Sequence, residues 1–407
     1  MRRDLERIIR ERGLGGAVVF AYDRYSPPMY YVTGARLHFG VYVLAADGRT
    51  RLVYDEMETE AAAASGLERS GFNEVGLVNL FAEEGASALA FGRLIAQVCA
   101  SMGIEGKIGL YGDLPAAYAL ALITRLREVG GPEVDTSQPD PLALARMTKE
   151  DDEVAAIRRV AAGTVAAFTE VVEFLASTRL DGPVVRAVDG TEVTLGTLRR
   201  IIQRAFADKG LAESGGEGIV SQGADAGVPH SRGKDDDVVR PGAPIVIDIF
   251  PAQAGGGYHS DFARTLCVGP APDPLKDLHR DVMEAVSRTT AALSVGMSCQ
   301  GLHDLACDVF EAKGHPTIRS DPDTEDGYCH QLGHGVGLAV HEEPGLGGWA
   351  SSGRALEPRM VFTVEPGLYY PSRELGVRIE DLFYLAPDGT VENLTPAPYD
   401  LEVIPAG

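Results

Sequence analysis

The chain has 407 residues, 45% of them hydrophobic and 24% charged, the make-up of a globular protein and too long for one usual core. A formal net charge of −22 excludes a binder of nucleic-acid phosphates or of anionic membranes. Five scattered cysteines without CxxC spacing exclude a disulfide framework and a zinc knuckle, and point to the reducing cytoplasm.

In chain order, "MRRDLERIIRERG" reads as a charged amphipathic helix over 2–12, without the apolar core of a signal peptide. "GAVVFA" (16–21), "VYVLAA" (41–46), "TRLVYD" (50–55) and "KIGLYG" (107–112) are predicted strands, and 58–66, 88–103 and 115–129 carry helical periodicity. They predict a compact α/β domain over 1–135. "GGPEVDTSQPDPL" (130–142) concentrates breakers and predicts a linker. "KEDDEVAAIRRVAAGTVAAFTEVVEFL" opens with acids and repeats apolar residues at helical spacing, so a long helix is expected there. Further helices over 193–209, 274–293 and 299–313 interleave with strands over 244–250, 262–268, 360–365 and 376–385. That mixture predicts an α+β second domain over 145–407. No apolar run approaches the ~18–20 residues that span a bilayer.

Four of those strands carry an acid where an apolar residue belongs. Asp248 sits inside "PIVIDIF", and a buried, unpaired acid there would cost several kcal/mol, roughly. The glycines of "PAQAGGGYH" allow a reversal that brings Asp261, at the head of the next strand, beside Asp248. Two anions so placed repel unless a cation or a proton lies between them. Glu365 ends the strand of "MVFTVEPG", and Glu380 interrupts "GVRIEDLFYL". "GHGVGLAVHEEPG" adds His334 and His341, seven apart among glycines. Four carboxylates and an imidazole suit Mn²⁺, with Co²⁺ or Zn²⁺ as alternatives, and nearly balance two divalent cations together with a hydroxide.

These motifs resemble the pita-bread metallopeptidases: Xaa-Pro dipeptidases (prolidases), Xaa-Pro aminopeptidases and methionine aminopeptidases. The family's ligand order of Asp, Asp, His, Glu, Glu has its counterparts in Asp248 of "VIDIF", Asp261 of "YHSDFART", His334 of "GHGVGL", Glu365 of "TVEPG" and Glu380 of "RIEDLF". The resemblance spans roughly 145–403. "YYVTGA" (30–35) extends it to a creatinase/prolidase-type N-terminal domain, which favours the proline-directed branch. The resemblance implies a pita-bread catalytic domain behind a smaller α/β domain, a homodimer, and two divalent cations that share the attacking hydroxide. The implied substrate is a small proline-containing peptide, cut at the Xaa-Pro bond of dipeptides. The alternative is an aminopeptidase acting on longer peptides, and a non-peptidase relative is a third reading.

Asp261 and Glu380 are implied as bridging ligands, and Asp248, His334 and Glu365 as terminal ones, with Glu365 also moving the proton. His341 is implied as donor to the tetrahedral intermediate, His230 of "GVPHSRG" as a substrate-side catalytic histidine, and His38 as a substrate contact acting in trans. Tyr258 is expected to line the pocket, and His259 to support the ligands from behind. Arg378 shares a strand face with Glu380 and reads either as a substrate-carboxylate contact or as an ion pair with Asp248 or Asp261. Arg264 divides the same way. Two departures stand out. Asp248 and Asp261 are thirteen apart where many relatives have eleven, and the position of the prolidases' carboxylate-holding arginine is Ser351, with Arg354 and Arg359 nearby.

Overall fold

The computed structural model describes residues 3–214, 216–348 and 353–405, and divides into two compact units, Met1–Arg146 and Met147–Gly407. In the first unit six strands form one sheet in the edge-to-edge order Arg69–Gly71, Thr50–Tyr54, Gly40–Ala45, Gly16–Ala21, Lys107–Tyr111 and Glu133–Val134. Gly16–Ala21 pairs antiparallel with Gly40–Ala45 and parallel with Lys107–Tyr111, the mixed pattern of an α/β layer. Val18, Phe20, Val41 and Val43 of the sheet pack on Phe91, Leu94 and Ile95 of the helix Ser87–Ser101.

The breaker-rich 130–142 stretch is not a free linker. Glu133–Val134 pairs with Lys107–Tyr111, and the stretch runs into the helix Pro141–Met147. Two residues make a strand there because an existing edge offers partners, not because of their own propensity. The helix Pro27–Thr33 has no counterpart among the predicted elements. It is too short for periodicity, and is defined instead by its Ser26 cap and by Gly34 at a left-handed φ of 67°.

The second unit opens on the long helix Asp151–Ala176, whose first turn is closed by a reciprocal capping box between Glu150 and Glu153. A four-stranded sheet runs Ile219–Gln222, Pro244–Ile249, Phe262–Val268, Glu402–Val403. A five-stranded sheet runs Glu342–Leu346, Gly333–Gly335, Val361–Val364, Asp381–Leu385, Val391–Asn393. The helices Asp273–Ala291 and Cys299–Ala312 bury Leu278, Val282, Leu302 and Phe310 in one core with Phe362 and Phe383, while the long helix shares a second core with Ile245, Ile247 and Phe262.

The strand expected over 376–385 is two strands. Leu375–Arg378 pairs with Gly367–Tyr370, and Asp381–Leu385 pairs with Val361–Val364. The break falls at Glu380, whose backbone instead bridges Ala263 of the other sheet. Between Asp248 and Asp261, Pro251–Gln253 pairs with Leu211–Glu213. Among the described residues no helix is long and apolar enough to cross a membrane.

Candidate metal centre and active site

Ala263 is the crossing point. Asp248 is its register partner on one side, Glu380 bridges it on the other, and Asp261 lies two residues earlier on the same pleat face. Two acids of one hairpin and a third from more than a hundred residues later therefore converge on one alanine. Asp248, Asp261 and Glu380 are 6%, 3% and 2% exposed. Glu365 follows Val361–Val364, its N–H donating to Leu332 O at 2.8 Å, which sets it beside the His334 strand.

His334 joins them with a defined tautomer. Its Nδ1 meets Gly335 O at 3.1 Å, so Nδ1 carries the proton and Nε2 presents its lone pair. That Nε2 lies 3.3 Å from Glu365 Oε1 and 3.6 Å from Asp261 Oδ2. Asp261, His334 and Glu380 offer ligand atoms all within 4.8 Å of one another. Glu380 Oε1 is buried with no hydrogen-bond partner. An orphaned carboxylate oxygen inside a set of carboxylate and imidazole donors fits a divalent cation.

The electrostatics say the same. Burial, then Asp248 and Glu365, push Asp261 well above the carboxylate range, and burial, then Asp261, Glu365 and Asp248, do so for Glu380. Burial pushes Glu365 up to about 8 and, together with His341, holds His334 down to about 3. A carboxyl whose folded pKa is raised stabilises the fold fully below its unfolded value, and that contribution is lost as pH rises through the folded value. For Glu365 the window runs from about 4.3 to about 8. Chelated protein is therefore expected to show a Tm that falls between about pH 5 and about pH 8, while metal-loaded protein does not. A flat profile for the chelated protein would argue against mutually repelling acids.

The other expected residues divide. His341 has its ring 4.3 Å from that of His334, and burial of the ring holds its pKa below the usual imidazole value, with Asp248 opposing the shift and His230 adding to it. His230 is exposed on the loop after Asp225–Gly227. Arg378 pairs with Asp248, donates to Tyr369 Oη at 2.6 Å and to Pro229 O at 3.1 Å. Of the two alternatives the ion pair is the one seen, with all three guanidinium nitrogens engaged within the protein. Tyr258 is buried, and its hydroxyl donates to Glu153 of the long helix at 2.7 Å, pinning the hairpin. His259 is buried, and its N–H donates to Gly337 O at 2.7 Å. His38 belongs to the first unit, where its Nδ1 meets Glu58 at 2.9 Å. Ser351 lies outside the described residues.

Three supporting residues escaped the sequence reading. Thr363 Oγ1 accepts from the His334 N–H at 3.1 Å and lies 3.4 Å from Glu365 Oε1, so one buried hydroxyl orients two site residues. Tyr369 Oη, held by Arg378, meets His330 Nε2 at 2.9 Å, and His330 Nδ1 meets Gln331 O at 2.7 Å. Burial, then Arg378, hold His330 down to about 3, so it is neutral and hydrogen-bonded at both nitrogens. Only the spacing of His330 four residues before His334 was a visible signal.

Residues 155–387 match metallopeptidase family M24. The chain is 29% identical over 400 residues, 97% of its length and 93% of the relative's, to a probable dipeptidase PepE of Mycobacterium tuberculosis. It superposes on the Xaa-Pro dipeptidase from Bacillus anthracis with a TM-score of 0.77 at 24% identity, covering 99% and 98% of the two chains. The X-Pro aminopeptidase from Thermotoga maritima gives a TM-score of 0.74 at 22% identity, covering 97% and 99%.

Proposed function

We propose, from the premise that this chain belongs to metallopeptidase family M24 and carries its pita-bread α+β fold, that it hydrolyses the Xaa-Pro bond of dipeptides. The observation that carries the proposal is the convergence of Asp248, Asp261 and Glu380 on Ala263, with His334 and Glu365 alongside. Those five residues would hold two divalent cations per chain, Mn²⁺ first and Co²⁺ or Zn²⁺ as alternatives, with Asp261 and Glu380 shared between them. When bound, the cations would supply Lewis-acid polarisation of the scissile carbonyl and a water made acidic enough to attack near neutral pH.

The chain's own groups do the rest. Glu365 takes the proton of the attacking water at its carboxylate and delivers it to the leaving nitrogen. His341 donates an imidazole N–H to the oxygen that gains charge, a contribution worth about 3–4 kcal/mol where such donors have been removed. His230 contacts the substrate from its loop. The nitrogen of an Xaa-Pro bond carries no proton, so a site that works from the carbonyl side does not miss it. The proposal extends to a homodimer in the cytoplasm, with His38 serving in trans; the five cysteines all carry free thiols, as a reducing compartment favours.

One observation favours a second reading, an aminopeptidase on longer peptides. A dipeptide brings a carboxylate close to the site, and the two arginines that follow position 351 in sequence are occupied. Arg354 pairs with Glu343 at 3.3 Å, and Arg359 with Asp151 at 3.0 Å and Glu150 at 3.7 Å. A series from Ala-Pro to Ala-Pro-Ala-Ala decides between them. The dipeptide is expected to give the highest kcat/KM, and faster cleavage of the longer members would establish the second reading. Chelation is expected to abolish activity and Mn²⁺ to restore it. Metal analysis giving less than about one ion per chain, with no recovery, would remove the peptidase proposal.

A further inference from the structure

Glu342 directly follows His341 and belongs to neither the ligand set nor the substrate contacts. Its Oε1 accepts the backbone N–H groups of Leu338 at 2.8 Å and Ala339 at 3.1 Å, closing the turn that leads into His341. The turn wraps the carboxylate so tightly that a Cβ on Gly337 would lie 2.4 Å from Glu342 Oε2. That same Oε2 accepts from Lys149 Nζ at 2.9 Å, and the two side chains are 1% and 6% exposed.

Lys149 is itself a fixed post. Its N–H donates to Arg359 O at 2.8 Å, and its carbonyl accepts from Arg359 Nη1 at 3.3 Å. Arg359 also binds Asp151 at 3.0 Å, and the neighbouring Thr148 bridges Met360. Arg359 holds a φ of 74°, unusual outside glycine, and these contacts keep it there. A buried ion pair is a poor stabiliser in itself, because desolvation offsets most of the attraction. Joining this post to the turn before His341 is what the pair adds beyond burial.

We propose that Lys149 and Glu342 are positioning residues for His341: the pair holds the 337–341 turn so that the imidazole stands where the substrate oxygen gains charge. The inference rests on the role given to His341 above. A misplacement of about 1 Å can cost about 100-fold in rate, so the effect belongs in kcat.

The test is a mutant cycle on the metal-loaded full chain with Ala-Pro as substrate. Lys149→Met is expected to lower kcat about 10- to 100-fold, with KM and metal content within about twofold of the parent. Lys149→Arg should recover most of the loss, since it restores a donor to Glu342. In a His341→Ala background, Lys149→Met should cost nothing further, because the group it positions is gone. An equal loss with and without His341 would overturn the inference, as would a fall in Tm alone. Should Lys149→Met fail to fold, Glu342→Gln carries the test. It keeps an acceptor for the two N–H groups while setting an amide against Lys149, and unchanged kcat in that variant would also overturn the inference. Full kcat in His341→Ala alone would count against the role of His341 instead, which separates the two failures.

Discussion

Asp261→Asn and Glu380→Gln are each expected to abolish peptidase activity. Losing an outer partner of a metal ligand already costs about 10- to 100-fold, so if these residues are shared ligands, as proposed, the loss should exceed the upper end of that range. Both substitutions are nearly isosteric. An asparagine oxygen at 261 can still accept the Phe262 N–H that Asp261 Oδ1 accepts at 3.0 Å, and Glu380 Oε1 has no hydrogen bond to lose. Each change also removes one charge from a cluster whose members raise one another's pKa. After chelation the variants should therefore be at least as stable as the parent, and without chelation they should hold less metal. The measurements are kcat/KM on an Xaa-Pro dipeptide, metal per chain, and Tm after chelation. Near-native activity with full metal in either variant would show that the residue is not shared between the cations.

Arg264→Met is expected to destabilise the second unit by about 3–5 kcal/mol, the range for breaking a buried charge pair from one side. Arg264 is 2% exposed, and its guanidinium lies between the rings of Phe262 and Tyr399 at 4.5 and 4.4 Å. It donates to Asp381 at 2.7 Å and to the carbonyls of Ala263, Glu380, Ala397 and Pro398 between 2.8 and 3.2 Å. Methionine fills the volume and leaves Asp381 with the hydroxyls of Tyr399 and Thr395. Lysine should not rescue it, because one ammonium cannot reproduce a planar fork with five donors. Denaturant unfolding measures the loss, and a change under about 1 kcal/mol would show that the pair is not a structural fastener. Arg264 also holds the carbonyl of Glu380, so weaker metal affinity should accompany the loss of stability.

Arg264 and Arg378 show where sequence reading stopped. Each is an arginine on a strand close to an acid, and each divided evenly between a site role and an ion pair. Pleat parity alone places them differently. Arg378 is two residues before Glu380 and shares its face, while Arg264 is three residues after Asp261 and points to the other. Parity names a face but not what covers it. Asp381, which meets Arg264, is 117 residues away, and Asp248, which meets Arg378, is 130 away. Lys149 and Glu342, 193 apart, were invisible as a pair for the same reason.

Short elements were missed on different grounds. Gly333–Gly335, which carries His334, contains no β-former and is a strand only because Val361–Val364 and Glu342–Leu346 lie on either side. Glu380 was read as one acid inside one strand, yet it is where the chain passes from one sheet to another, a point no periodicity marks.

The amino-acid order by itself determined the acids that do not belong in strands, their sequence of Asp, Asp, His, Glu, Glu, and the α+β alternation around them. It could do so because an ionised side chain in an apolar run has a local energetic cost that can be read without knowing the fold. Only the tertiary structure decided which partner answers each charge. Ala263 brings Asp248 and Glu380 together across two sheets, Arg378 goes to Asp248, Arg264 to Asp381, and Lys149 to Glu342. Those choices depend on distances between residues more than a hundred positions apart, which are set when the sheets pack and not before.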